Sequence, residues 1–129
     1  MRTIGLLLAA LLLAGCSLLV NDPPVVPDNA SPAVWHIDGE QPSGDATAFV
    51  AQVTERACAS GRDIRDLLLP PVIDYGDEAI IVSLYLQPLG GGAQSCVGTL
   101  PTPFTIELAE PIGDRMLVDG IGGDDDDPG

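Results

Sequence analysis

The most regular hydrophobic pattern lies in Ala79–Leu86, where Ile80, Val82, Leu84 and Leu86 fall on one side and Ile81, Ser83 and Tyr85 on the other. A period of two in a run rich in β-branched residues predicts a strand with one buried face. Val72–Tyr75 precedes it across Gly76, Asp77 and Glu78, a glycine-containing loop of hairpin length. Phe104, Ile106 and Leu108 alternate with Thr105 and Glu107, which predicts another strand, and Pro103 at its start suits a strand end. Glu110, Pro111, Ile112, Gly113 and Asp114 carry turn chemistry, so 115–118 is expected to return as a short strand. Residues 33–37 are expected to form a first strand. The fold class that follows is mostly β: a small antiparallel sheet or sandwich.

Two segments leave the pattern undecided. In 46–58, Phe49, Val50, Val53 and Ala57 share a helical face, yet Phe49, Ala51 and Val53 alternate equally well as a strand. Alanine, Gln52 and Glu55 favour helix, whereas Thr47, Val50, Val53 and Thr54 favour strand. Ile64, Leu67 and Leu68 fit one short helical turn, stopped by Pro70 and Pro71.

The two ends read differently from this body. Arg2 is followed by an apolar run over 4–13 and then by Leu13, Ala14, Gly15 and Cys16. A charged start, an apolar stretch and small residues at the cut are the parts of a secretory signal. Ending on cysteine, the segment resembles the lipobox of bacterial lipoproteins, in which cleavage before the cysteine leaves a diacylglyceryl group on its sulfur. Two acyl chains anchor stably where one binds only marginally. The alternative is an uncleaved anchor, since 4–20 is apolar apart from Cys16 and Ser17 and approaches the shortest spanning helix. Pro23, Pro24 and Pro27 follow at once and no basic cluster stops transfer, which favours cleavage. The expected division is a cleaved signal over 1–15, a lipidated Cys16 with a proline-rich tether over 16–32, a β-domain over 33–121 and an acidic tail over 122–129. An extended tether of that length reaches ~50 Å at about 3.1 Å per residue. The expected location is the extracytoplasmic face of the cell membrane, held there by lipid.

Composition narrows the functional classes. The chain has 129 residues and a formal net charge of −14. It contains no lysine, and its cations are Arg2, Arg56, Arg62, Arg65 and Arg115. Nucleic-acid binding needs clustered positive charge, so it is excluded as an expectation. Direct adsorption to anionic headgroups is disfavoured for the same reason. Trp35, Phe49, Tyr75, Tyr85 and Phe104 are the aromatic residues, a thin supply for a core, and small domains of this kind commonly rely on a covalent staple. With Cys16 taken by lipid, Cys58 and Cys96 remain in an exported chain and admit one pairing. Their wide separation does not fit a Cys-x-x-Cys redox pair. A disulfide closing that loop would stabilise the fold by about 4 kcal/mol on the chain-entropy account.

Several stretches together resemble a group of small secreted lipoproteins of actinobacteria. They are residues 55–61 (Glu-Arg-Ala-Cys-Ala-Ser-Gly), 87–91 (Gln-Pro-Leu-Gly-Gly), Cys96, Thr102 with Pro103, 110–115 (Glu-Pro-Ile-Gly-Asp-Arg), and Asp119 with Gly120. The resemblance spans roughly 46–120 and rests on turn and cysteine motifs. It implies an all-β body with Cys58 joined to Cys96, and a strand for 46–58. It supplies no substrate and no site residues. Leu67, Leu68 and Leu69 depart from it, being more apolar than a loop requires.

Candidate chemistry is sparse. His36, the single histidine, is the residue a Ser-His-Asp or Cys-His site would need, with Ser60 or Asp74 as partners the fold would have to bring close. The carboxylate pairs Asp38/Glu40, Asp77/Glu78 and Glu107/Glu110 single out no glycosidase-like site, because that chemistry depends on spacing in three dimensions. The acidic run over 124–127 lacks the alternating register and closing glutamate of a calcium loop. Gly90, Gly91 and Gly92 lack the Lys-Ser/Thr ending of a phosphate loop. No catalytic residue, metal ligand or cofactor is therefore expected. Arg115, after a Pro-x-Gly-Asp turn, is a candidate for anion or partner recognition, against an internal pair with Asp114, Asp119 or Glu110. Trp35 and Tyr85 are candidates for an exposed aromatic patch. The expected function is a non-enzymatic envelope lipoprotein presenting a β-domain to a protein or glycan partner. The alternative is a small-ligand or cation-binding accessory module, which needs converging carboxylates.

Overall fold

A computed structural model describes residues 22–57, 61–90 and 100–122. Its strands are β1 (Ser31–His36), β2 (Ala48–Glu55), β3 (Val72–Tyr75), β4 (Ala79–Leu86), β5 (Thr102–Glu107) and β6 (Met116–Asp119). They form a six-stranded sheet in the order β3-β4-β1-β2-β5, with β6 also on β4. The body is mostly β, and the described residues contain no helix. Cys16, expected to carry lipid, the cysteines Cys58 and Cys96, and the acidic run over 124–127 lie outside the described residues.

The ambiguous 46–58 segment resolves as a strand because tertiary burial overrides its local preferences. In β2, Phe49, Ala51, Val53 and Glu55 are all buried, which is the period of two and not of a helix. The segment pairs antiparallel with β1 on one side and β5 on the other. The β3–β4 hairpin forms across the predicted Gly76 loop, with Tyr75 opposite Ile80. The expected first strand begins at Ser31, so β1 takes in Pro32 from the end of the anticipated tether. Residues 64–67 make one turn, closed by the Leu67 N–H on the Ile64 carbonyl at 3.0 Å, and no helix.

That turn leads into a pairing that explains the three leucines. Leu68 lies opposite Leu86, and the Leu69 N–H donates to the Tyr85 carbonyl at 2.9 Å. The 67–69 segment thus continues the β3 edge along β4, interrupted by Pro70 and Pro71. Between the Leu68–Leu86 and Val72–Ser83 partners one edge has an extra residue, as in a β-bulge, where absent proline N–H groups do least harm.

The short strand expected over 115–118 forms one residue later as β6, and it departs from the antiparallel pattern: β6 pairs parallel with β4, Ala79 opposite Met116. β1 covers only residues 84–86 on that edge of β4, leaving the backbone of 79–82 to be satisfied by another strand. β6 occupies that gap end to end with β1.

The core lies on one face of the sheet. Ala33 and Trp35 of β1, Phe49, Ala51 and Val53 of β2, alternate residues of β4 and Ile106 of β5 form it. Ile64, Leu108 and Ile112 join from the connections. Trp35 and Phe49 meet with ring centroids 5.2 Å apart at a tilt of 43°. The sheet curls over this face until its two edges meet at one end, where the Ala109 N–H donates to the Tyr75 hydroxyl at 2.8 Å.

Candidate functional site

The turn after β5 is built around one densely bonded side chain, Arg115. Ile112 is fully buried, and Gly113 takes a positive φ of 65°, so the chain reverses around an apolar plug. Arg115 then folds back over its own turn. Its Nε donates to the Ile112 carbonyl at 3.0 Å and its Nη2 to the Pro111 carbonyl at 2.6 Å. Nη1 reaches the Glu110 carboxylate at 2.5 Å and the Gly76 carbonyl at 3.4 Å. The guanidinium lies 6.0 Å from the Tyr75 ring centroid, within cation–π range. With its fork satisfied from four sides, Arg115 fastens the turn to the β3–β4 hairpin. Of the three internal partners considered for it, Glu110 is the one engaged.

Beside it is an open depression of about 490 Å³ lined by Gly76, Asp77, Glu110, Pro111, Asp114 and Arg115. A cation entering there would compete with Arg115 for Glu110. Among the described residues, no three His, Cys, Asp or Glu side chains are grouped as a metal site requires.

The other sequence candidates are spread apart. Trp35 is 8% exposed and sits in the core, its Nε1 donating to the Val82 carbonyl at 2.9 Å. Its side chain therefore contributes no exposed aromatic patch, because the alternation that starts at buried Ser31 turns it inward. Tyr85 is half-buried on the opposite face, across from Pro32 of β1. His36 is at the exposed end of β1, with Nε2 3.2 Å from Asp38 Oδ1. Asp74, the partner proposed for it, is on the distant edge strand β3, and Ser60 lies outside the described residues.

Three polar arrangements were not anticipated from sequence. Glu55 closes β2 on the buried face, its side chain 1% exposed, and Arg62 reaches it with Nη2 at 2.5 Å and Nε at 3.0 Å. Arg62 also donates to the carbonyls of Gln87 at 2.6 Å and Pro88 at 3.3 Å, tying the connection after β2 to the chain leaving β4. The available signal was an acid in phase with Phe49, Ala51 and Val53. Asp119 sits where β1 and β6 meet: Oδ2 accepts the Trp35 N–H at 2.9 Å and Oδ1 the Ile121 N–H at 2.8 Å. Gln41 accepts the Leu117 N–H at 3.0 Å and donates to the Arg115 carbonyl at 2.8 Å, so a side-chain amide stands in for a neighbouring strand on β6. Neither of these last two has a pattern in the sequence.

The two sheet edges also define a second concavity, of about 400 Å³, lined by Leu68 and Pro71 on one wall and Thr105, Ile106 and Glu107 on the other. β5 and β3 end the strand order, so no described strand covers either outer edge. No protein-family model, curated protein or solved structure matches the chain.

Proposed function

We propose that this chain is a lipid-anchored, non-enzymatic envelope protein that holds a small β-domain away from the membrane to bind a protein or glycan partner. The observation that carries this reading is the order of its parts. An apolar run ends in Leu13, Ala14, Gly15 and Cys16, prolines follow at 23, 24 and 27, and the sheet begins at Ser31. Only a short proline-rich span separates the anchoring cysteine from the first strand, which suits a tether. Open sheet edges support a binding role, since exposed edges accept added strands. The exposed placement of the one histidine at the end of β1, beside Asp38, supports binding over catalysis. Cys58 and Cys96 are proposed to form the staple of this exported domain, and the likeness to small actinobacterial lipoproteins belongs to the same proposal.

Intact mass of the protein extracted gently from its own envelope tests the reading. The expected species starts at Cys16, carries lipid on it, and has the mass of the oxidised Cys58–Cys96 pair. Replacing Cys16 (Cys16→Ala) is expected to move the chain from the membrane fraction and leave residues 1–15 attached. Cross-linking in the intact envelope is expected to give a covalent adduct with a protein or glycan. A native chain starting at Met1, or one with free thiols and no adduct, overturns the proposal.

A further inference from the structure

The concavity between the two sheet edges has the chemistry of a slot for an added strand. The Leu108 N–H donates to the Thr47 carbonyl at 2.8 Å, and this sets the hydrogen-bonding phase of the β2–β5 ladder. In an antiparallel ladder, alternate residues turn their backbone groups away from the partner. Phe104 and Ile106 therefore bond toward β2, and Thr105 and Glu107 direct N–H and C=O to the free edge. Pro103 shares their phase, and a proline is tolerated in a strand where its nitrogen faces no partner. On the facing wall, the Gly76 N–H donates to the Ala79 carbonyl at 2.9 Å, so Ile73 and Tyr75 likewise direct their backbone groups outward.

The side chains set what fits. The walls offer half-buried Leu68 and Pro71, with Ile106 buried beneath them, whereas the exposed Glu107 lines the same concavity. No lysine or arginine lines the concavity, and Arg115 is held by Glu110. A second copy of this chain would bring another net charge of −14 to an already acidic edge. An extended segment whose side chains alternate between apolar and cationic matches both features, since a strand turns successive side chains to opposite faces.

We propose that the free edge of β5 receives such a basic, extended segment of a partner protein, which adds as a strand over Leu68, Pro71 and Ile106 with its cations on Glu107. This rests on the interaction reading above and specifies where on the domain it occurs and with what.

The test uses the full chain and a short fluorescein-labelled peptide of alternating lysine and valine, with alternating glutamate and valine as control. Binding is read by fluorescence anisotropy, and amide hydrogen exchange locates it. The lysine peptide is expected to bind and to slow exchange at Thr105 and Glu107, while the glutamate peptide does not bind. Thr105→Pro removes one outward donor in the phase where the strand already holds Pro103, and is expected to weaken binding about tenfold. Glu107→Lys leaves the backbone unchanged and is expected to weaken the lysine peptide and admit the glutamate peptide. Equal binding by Thr105→Pro and the native chain, protection elsewhere on the sheet, absence of binding, or dimerisation through this edge each overturn the slot. Envelope adducts that persist unchanged in Thr105→Pro also overturn it, and they leave the broader binding role standing.

Discussion

Asp63 and Arg65 form a self-contained unit on the exposed connection after β2. The Arg65 backbone N–H and Nε each lie 3.0 Å from the Asp63 carboxylate, and Nη2 pairs with its other oxygen. The guanidinium hydrogen bond, followed by the one from the backbone N–H, holds the Asp63 pKa down from 3.8 to about 2. Arg65 is correspondingly raised, chiefly by the same hydrogen bond. A carboxylate with a depressed folded pKa contributes its stabilisation above the unfolded value and loses it as pH falls from 3.8 toward about 2. Both partners are exposed, so the consequence for overall stability is small. Carboxyl carbon shifts followed by NMR are expected to show Asp63 titrating near pH 2, and Arg65→Leu to move that midpoint most of the way back to 3.8. A native midpoint at the ordinary value would mean that the fork does not persist in solution.

At the scale of elements, the fit between β6 and β4 depends on a residue with no side chain. A methyl group placed on Gly120 would lie 2.1 Å from Ser83 Oγ and 3.0 Å from Ile81 Cγ2. Gly120 also extends the parallel ladder, its N–H donating to the Val82 carbonyl at 3.0 Å, so the backbone has little room to retreat. Gly120→Ala is expected to destabilise the protein by about 1–3 kcal/mol, the usual range for overpacking. Ser83→Ala in the same chain is expected to recover part of that loss, since it removes the nearest atom. A denaturant titration giving Gly120→Ala native stability would show that the two strands do not lie this close. The strands themselves were legible in the alternation at Ile80, Val82, Leu84 and Leu86 and at Phe104 and Ile106, because a one-sided core imposes a period of two. Partner and direction were not legible. β6 pairs parallel with β4 because β1 departs after Ala33, an event set by the curl of the whole sheet. Arg115 was legible as a turn residue from its Pro-x-Gly-Asp context, whereas Trp35 was misplaced because the inward phase of β1 is fixed by its partners β2 and β4.

For the molecule as a whole, the decisive polar contact is the one that closes the end of the core. Arg62 joins the connection after β2 to the chain leaving β4, through Glu55 on one side and the Gln87 and Pro88 carbonyls on the other. The first of these segments contains Cys58 and the second leads to Cys96, so ion pair and proposed disulfide restrain the same two parts of the fold. Removing one member of a buried pair leaves a desolvated charge, and Arg62→Ala is expected to cost about 3–5 kcal/mol. Arg62→Lys is expected to recover little, because an ammonium cannot reach a carboxylate and two carbonyls in one fork. If the two restraints back each other up, the loss from Arg62→Ala grows once the thiols are reduced. Guanidinium unfolding of both chains, oxidised and reduced, gives the four stabilities needed. A combined loss larger than the two single losses added together is expected. Additivity within about 0.5 kcal/mol would mean the two act on independent parts of the molecule. An Arg62→Ala loss under about 1 kcal/mol would place the pair among ordinary surface bridges, and it would then not be what closes this end of the fold.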